Sequence, residues 1–405
     1  MRLDNPVQLY NYINKCRKWI KVWNPQSYDS PKGQFSLTTY NILSQNLLLN
    51  HLYLYQDNIK SNLMWSHRAE RLKKELLEMN SDIFCLQEVH MENFKSHILP
   101  SLIERGYQAV FKQKTGPSQD GCSILFKRDK FIFKDSREVE FNRRDISNLL
   151  DKDNVALLVK LNPIGFNNKS TDTDLVIANT HLLFNPKRGD IKIAQLRLLL
   201  AEIQQFARTE QCLSTSANRP QLDPFKLKYS PIIFCGDMNS EPSSPLIRFI
   251  KDGRANFNGL LSGDISGQRE GIQRGRELLH RELMLRGIGT NSCYKQQSGI
   301  YNCDAVASTS ADFSVQNLAI EHVFKLASAY PAIDEFGKKF YSMSTYLDIG
   351  FVDHIFYSFK HENLRLSAFR QLLTKRNLNT IGTFPNSVLG SDHIALSAKL
   401  THVFA

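Results

Sequence analysis

Four short segments spread along this chain carry the donor atoms that a phosphate-handling metal site uses. They are Tyr40-Asn41, Leu86-Gln87-Glu88, Gly236-Asp237-Met238-Asn239 and Ser391-Asp392-His393. Each closes or opens a run that reads as a buried strand. Oxygen donors suit a hard cation such as Mg2+, and a His beside them supplies a proton or a hydrogen bond to a phosphate oxygen. Singly, each has an ordinary reading: an Asn after a strand is commonly a turn former, and a strand-end Glu is commonly solvated. Together, Asn41 and Glu88 offer a neutral oxygen and a carboxylate, a half-shell for Mg2+, which keeps several waters. In Gly-Asp-Met-Asn the two-residue alternation brings Asp237 and Asn239 to one side. Asp237 there can take a proton from an attacking water, and Asn239 can hold that water or a phosphate oxygen.

Two further segments join them. Asn179-Thr180-His181 ends another apolar run, where a lone His is more often structural than catalytic. Val352-Asp353-His354-Ile355 places an acid among apolar residues, which is costly without a partner. We expect Asp353 to fix the tautomer of a His. Asp392 can orient a ring, and His393 can face the phosphate.

The elements that must position these residues alternate between strand and helix. Strands are expected at Ser36–Ile42, Asp82–Glu88, Gly121–Lys127, Asn154–Leu161, Asp174–His181, Pro231–Gly236, Phe351–Ser358 and Ile394–Leu400. Helices fit Ser66–Met79, Glu92–Glu104 and Asp190–Phe206, the last capped by Asp190. Residues 208–229 read as a flexible excursion, and 252–345 are the least regular part, with a basic helix over Gly275–Gly287. The pattern suggests an α/β sandwich. The first and last motifs lie far apart in sequence and must meet in one site, so a lead-in over 1–33 and a single domain over 34–405 are expected, with insertions near 208–229 and 260–345.

The chain has 405 residues and a formal charge of +11, with a pI near 9.2. An anionic partner is expected, nucleic acid first and acidic membrane second, although many soluble proteins are equally basic. Arg143-Arg144, Lys187-Arg188 and the cations from Arg274 to Arg286 are candidates for tracking phosphates. Among these, Arg144, Lys187 and Arg188 are the expected substrate-binding cations. Cys16, Cys85, Cys122, Cys212, Cys235, Cys293 and Cys303 form no C-x-x-C pair, which argues against a zinc site. They read as thiols of a reducing compartment. No run of 18 apolar residues is present, so no membrane-spanning helix is expected. Lys15–Trp23 is basic and aromatic but poor in Ser, a weak transit signal. A cytoplasmic or nuclear, non-secreted protein is expected.

The six segments, in this order, resemble the endonuclease/exonuclease/phosphatase superfamily. Longer stretches resemble the protein angel family, relatives of nocturnin and the yeast-type catalytic deadenylases. These are Tyr40–Gln45, Asp120–Lys127, Asp145-Ile-Ser147 with Asp153-Asn-Val155, and Asn179–Asp190. The resemblance implies a four-layer αββα sandwich of two mixed β-sheets flanked by helices, with the site at one end. It implies Glu88 as main ligand of one or two Mg2+ ions (Mn2+ in substitution), with Asn41 supporting it. Asp237 would activate water, which Asn239 positions. His181 and His393 would stabilise charge on phosphorus, and Asp353 and Asp392 would orient these partners.

The implied partner is an RNA 3′ end. Two activities fit: removal of a 2′,3′-cyclic phosphate and stepwise 3′ exonuclease action on poly(A). Deadenylase relatives place an aromatic wedge about five residues before the Asp of the Val-Asp segment. That position is Asp348 here, with Tyr346 and Phe351 nearby. Stacking contributes on the order of 1–3 kcal/mol per base, so the carboxylate favours the cyclic-phosphate activity. An RNA-binding or adaptor protein with a decayed site is the non-enzymatic alternative; the intact acids and His residues argue against it. A small-molecule or lipid-headgroup phosphatase fits the charge equally well and is demoted only by the angel resemblance.

Overall fold

The computed structural model describes residues 5–22, 33–164, 174–209, 228–268, 319–359 and 364–402, with residues 3 and 279. The chain first lays down β1 (Trp19–Lys21), β2 (Gln34–Asn41), β3 (Ile83–His90), β4 (Tyr107–Gln113) and β5 (Asp120–Lys127). It then crosses to a second sheet for β6 (Phe131–Glu140), β7 (Val155–Pro163), β8 (Leu175–His181), β9 (Ile232–Asp237), β10 (Leu326–Ser328) and β11 (Asp353–Ser358). It returns to the first sheet for β12 (Leu364–Arg370) and β13 (Leu396–His402). The seven-stranded sheet has the order β1-β12-β13-β2-β3-β5-β4, and the six-stranded sheet β10-β11-β9-β8-β7-β6. β2 and β3 are parallel, as are β8 and β9; the other pairs described in these sheets are antiparallel. This is the expected four-layer sandwich.

Alternation along the strands builds the layers. In β8, Leu175 and Ile177 face the core between the sheets with Leu37, Cys85, Ile233 and Ile355. Val176 and Ala178 face the opposite way, onto Leu196, Leu199 and Phe249 of the covering helices Gly189–Phe206 and Pro245–Asp252. On the far side of the first sheet, Phe84 and Leu86 meet Leu72 and Leu76 of helix Trp65–Met79.

The helix expected over Glu92–Glu104 is two, Met91–His97 and Leu99–Glu104. Pro100 lacks an N–H and starts a new helix in its first turn. Asp190 is not the cap of helix Gly189–Phe206 but lies in its first turn, where it accepts from the Arg188 guanidinium at 2.9 Å. The lead-in is joined to the sheet, since β1 pairs with β12. The basic helix expected over Gly275–Gly287 lies outside the described residues, Leu279 aside.

At the site end, the space between the sheets is polar. Asn179 on β8 donates to the carbonyls of Leu86 (2.9 Å) and Ser123 (3.0 Å) in the other sheet. Its Oδ1 accepts from Gln87 Nε2 at 2.6 Å. Asn179→Leu would remove three buried hydrogen bonds between the sheets and leave the Leu86 and Ser123 carbonyls without their Asn179 donor. We predict a loss of about 3–6 kcal/mol in a urea denaturation series; an unchanged midpoint would exclude Asn179 as the tie between the sheets.

Candidate active site

Both sheets contribute at one end. From the first come Asn41 at the end of β2, Glu88 in β3, and Asp392 and His393 in the loop before β13. The second provides His181 at the end of β8, Asp237 at the end of β9, Asn239 just beyond it, and Asp353 at the start of β11. The register places His181 beside Asp237, and Asp237 beside Asp353. All eight residues are buried or nearly so.

The local backbone explains their reach. Gly236 has φ +139, and a Cβ there would meet the Thr180 carbonyl oxygen at 1.9 Å, so only glycine lets β9 approach β8 before Asp237. Between Leu86 and Val89 the register of β3 against β5 slips. Glu88 sits in that bulge in the left-handed region, φ +55. Such a conformation costs about 1–3 kcal/mol for a non-glycine residue and turns the carboxylate out of the ladder. Asn239 is left-handed too, with φ +47.

Asn41 Nδ2 donates to Glu88 Oε1 at 2.9 Å and to Asp237 Oδ2 at 3.1 Å. Its Oδ1 is taken by the Leu43 N–H. Asn41 therefore supports the two carboxylates through its amide nitrogen rather than presenting an oxygen. Glu88 Oε2 accepts from the Ser44 N–H, and Asp237 Oδ1 from the Asn239 N–H. Asn239 Nδ2 is anchored on the Leu182 carbonyl at 3.0 Å.

The two imidazoles have opposite electrostatics. His181 Nε2 lies 3.5 Å from Asp237, and its Nδ1 lies 3.9 Å from Glu88 with no hydrogen-bond partner among the described residues. Burial pushes its pKa well below the ordinary value, and the charges of Lys114, His393 and Lys192 push it further. It is a neutral ring. His393 Nδ1 meets Asp353 Oδ2 at 2.8 Å, and its Nε2 lies 3.8 Å from Asp237. Burial opposes its charge, but the charge and hydrogen bond of Asp353 together with the charges of Asp392 and Asp237 outweigh it, and its pKa is well above the ordinary value. Asp353 in turn accepts from Ser342 Oγ at 2.6 Å. Two like groups held in different charge states in one site is the usual division between hydrogen-bonding and proton-giving partners.

Asp353 thus meets a His ring, and the ring is that of His393. Asp392 instead accepts at Oδ2 from the Tyr55 hydroxyl at 2.8 Å and acts on His393 through its charge. The eight residues adjoin a cleft of about 510 Å³, which Glu88, His181, Asp237, Asn239, Asp348, Asp392 and His393 line. Arg144, Lys187 and Arg188 do not line it, and Arg188 is held by Asp190. The cations that do are Lys114, paired with Asp120 at 2.6 Å, and Lys152. Sequence reasoning passed over both because neither belongs to a charge run.

The acids are too many for one buried place. Burial raises Asp237 to about 7, with the Asp353 charge adding. Glu88 is raised by burial and by the charges of Asp120 and Asp392. Asp237, Asp353 and His393 each present a ligand atom within 4.8 Å of the others, a group that could hold a metal ion once His393 has given up its proton. Nearby acids that resist losing their protons, and a His181 nitrogen and an Asp353 oxygen without partners among the described residues, fit a site completed by a cation.

The fold and this acid-rich cleft define a phosphoesterase of the Endonuclease/Exonuclease/phosphatase family, which the sequence matches over residues 38–393. Within it, the chain belongs to the angel family. It is 36% identical to human protein angel homolog 2 over 409 residues, covering 93% of this chain and 71% of that protein. It is 32% identical to Drosophila melanogaster protein angel over 411 residues, covering 99% and 91%. Among solved structures, ANGEL2, described as a 2′,3′-cyclic phosphatase in complex with adenosine-2′,3′-vanadate, superposes with a TM-score of 0.77 at 36% identity, over 95% of this chain and 98% of that one. The human nocturnin catalytic domain shares the fold, with a TM-score of 0.54 at 19% identity.

Because the folded pKa of His393 is raised above 6.5, its contribution to stability is fully present below pH 6.5 and is lost as pH rises through the folded value. In Asp353→Asn the largest charge raising it is gone, and burial pulls the ring down. We predict that an NMR titration of His393 finds a lower pKa in the variant, with a flatter fall of stability on the alkaline side. Turnover should drop about a hundred-fold or more. A His393 titration unchanged by the substitution would remove Asp353 from this role.

Proposed function

We propose that this protein hydrolyses 2′,3′-cyclic phosphates at RNA 3′ ends. One observation carries the reading: a site of buried acids and two His residues on a fold matching, at 36% identity, a 2′,3′-cyclic phosphatase solved with a 2′,3′-vanadate of adenosine. A vicinal 2′,3′ ester requires the ribose 2′-OH, which DNA lacks.

The chemistry follows from the placed groups. Asp237, with a pKa near the working pH, takes a proton from the attacking water as the new P–O bond forms. The bond from phosphorus to one ribose oxygen breaks in line. The His393 imidazolium, held by Asp353 with its Nε2 3.8 Å from the Asp237 base, supplies positive charge to the non-bridging phosphate oxygens, and the leaving ribose oxygen takes its proton from solvent. The neutral His181 donates a hydrogen bond to a non-bridging oxygen. Opening the ring leaves a monoester, and a second water releases inorganic phosphate. Mg2+ is the ion we expect; Glu88, whose carboxylate Asn41 fixes, would hold it, and it would supply charge against the phosphate oxygens.

The aromatic-wedge position supports the cyclic-phosphate reading over poly(A) shortening. Asp348 lines the cleft. Phe351 is 2% exposed and stacked on His354 at 5.2 Å, inside the core. Tyr346 is exposed but does not line the cleft.

Incubation with Mg2+ and matched oligonucleotides ending in a 2′,3′-cyclic phosphate or in oligo(A) tests the reading. Inorganic phosphate release from the first is expected, and Glu88→Ala should abolish it with the fold intact. Shortening of oligo(A) without phosphate release would favour the exonuclease. Because Asp237, raised to about 7, must lose its proton to face a cation, the rise in Tm caused by Mg2+ should be larger at pH 8 than at pH 6. A rise independent of pH would place the ion elsewhere.

A further inference from the structure

Lys192, in the first turns of helix Gly189–Phe206, is fully buried. Its ammonium donates to the Asn239 carbonyl at 2.7 Å and to Gln268 Oε1 at 2.9 Å. Both acceptors are neutral. A buried ammonium held by a carbonyl and an amide is expensive, and a methionine would fill the same space without that cost. The bond to Gln268 also settles that residue's orientation. In its ammonium form Lys192 only donates, so the amide oxygen faces it and the NH2 faces elsewhere. Gln268 lines the cleft beside Asp237, Asn239 and His181. Its Nε2 bonds no described residue.

The segment carrying Gln268 is fastened to the loop after β9. Glu241 N–H donates to the Ser266 carbonyl at 2.7 Å, and Leu246 N–H to the Ile265 carbonyl at 3.2 Å. Gly189, at the start of the helix, allows this: a Cβ there would meet the Ser262 carbonyl oxygen at 2.3 Å. Helix, loop and segment thus form one block that carries Asn239 and Gln268 on its cleft side.

We infer that Gln268, aimed by Lys192, is a substrate-binding residue whose side-chain amide donates to a phosphate oxygen in the cleft. Lys192 is its positioning residue, and holds Asn239 in place through the same ammonium. A neutral amide adds a donor at the phosphate without adding another ionisable group to a site crowded with acids. The inference rests on the phosphoesterase reading of the cleft.

The test uses the full chain with Mg2+, in two measurements. One is calorimetric titration with inorganic phosphate. The other is kcat/KM on an oligonucleotide ending in a 2′,3′-cyclic phosphate. Gln268→Leu should weaken phosphate binding and lower kcat/KM by about ten- to a hundred-fold, the range for one hydrogen bond to a charged group. Gln268→Glu keeps the acceptor for Lys192 but turns a negative oxygen towards the phosphate, so its loss should be larger. Lys192→Met should weaken phosphate binding while the Tm stays within a few degrees of wild type, which a purely structural lysine would not do. Wild-type phosphate affinity and kcat/KM in both Gln268 variants would overturn the inference and leave the proposed activity standing. Gln268-dependent phosphate binding in a protein that hydrolyses no cyclic ester would do the reverse. A wild type that neither binds phosphate nor hydrolyses the ester would overturn both.

Discussion

The hydrogen bond between Gln87 and Asn179 is the constraint on which the rest of this site depends. Asn41, Glu88 and His393 are carried by one sheet, and His181, Asp237 and Asp353 by the other. The contacts Asn41–Asp237 at 3.1 Å and His393–Asp353 at 2.8 Å cross between the sheets as single hydrogen bonds, so a slide of one sheet by an ångström would dissolve the site. Apolar packing between sheets is strong but tolerant of small shifts. Directional bonds are not: Asn179 engages Gln87, the Leu86 carbonyl and the Ser123 carbonyl together, and Gln87 also donates to Thr39 Oγ1 and to the Cys85 carbonyl. The bridge lies one residue from Glu88 and two from His181, where a shift would do most harm.

Charge is the second constraint, and it is resolved by pairing rather than by exposure. Glu88, Asp237, Asp353 and Asp392 are buried within reach of one another, and each has a named donor: Asn41 and Ser44, Asn41 and Asn239, Ser342 and His393, Tyr55. Cations surround them at a small remove. Lys114 meets Asp120 beside Glu88, and Lys192 sits behind Asn239. Burial draws Lys192 down to about 7, against the opposing charge of Asp237. The site therefore holds few free charges before an ion or a phosphate arrives, and both arrivals are favoured by what is left unpaired.

Strand-end motifs were legible in the sequence because two simple facts expose them: apolar runs mark strands, and a polar residue at the end of a run emerges at the sheet's edge. That reasoning located Asn41, Glu88, His181, Asp237 and His393. It could not see the bulge in β3, because a left-handed glutamate has no composition signature. β4 and β6 were not anticipated either. β6 carries Lys134, Asp135, Arg137 and Glu138 and forms an edge of its sheet, so it lacks the apolar run on which such readings depend. The direction of the Asn41 amide, the bond from Tyr55 to Asp392 and the meeting of Lys192 with Gln268 all join residues distant in sequence. The spacing of residues carries no trace of them.

Arg68 shows the same logic one layer further out. It is buried on helix Trp65–Met79 and donates to the carbonyls of Ile42, Leu43 and Gly390 and to Gln45 Oε1. Those carbonyls belong to the loops that follow Asn41 and precede Ser391, the two loops of the first sheet that reach the site. Burial lowers its pKa to about 10, with Asp392 opposing, so it keeps its charge at neutral pH. No apolar residue could gather four acceptors from two loops, since a carbonyl bent out of a ladder must find a donor or leave a buried group unpaired. Leu43, at φ +55, is held in a left-handed turn whose carbonyl accepts from Arg68. A buried cation thus fixes the backbone that aims the acids, as Lys192 does on the opposite sheet. The two halves of the site are built alike: a strand end presents the acid, and a buried cation from the covering helix holds the loop that follows.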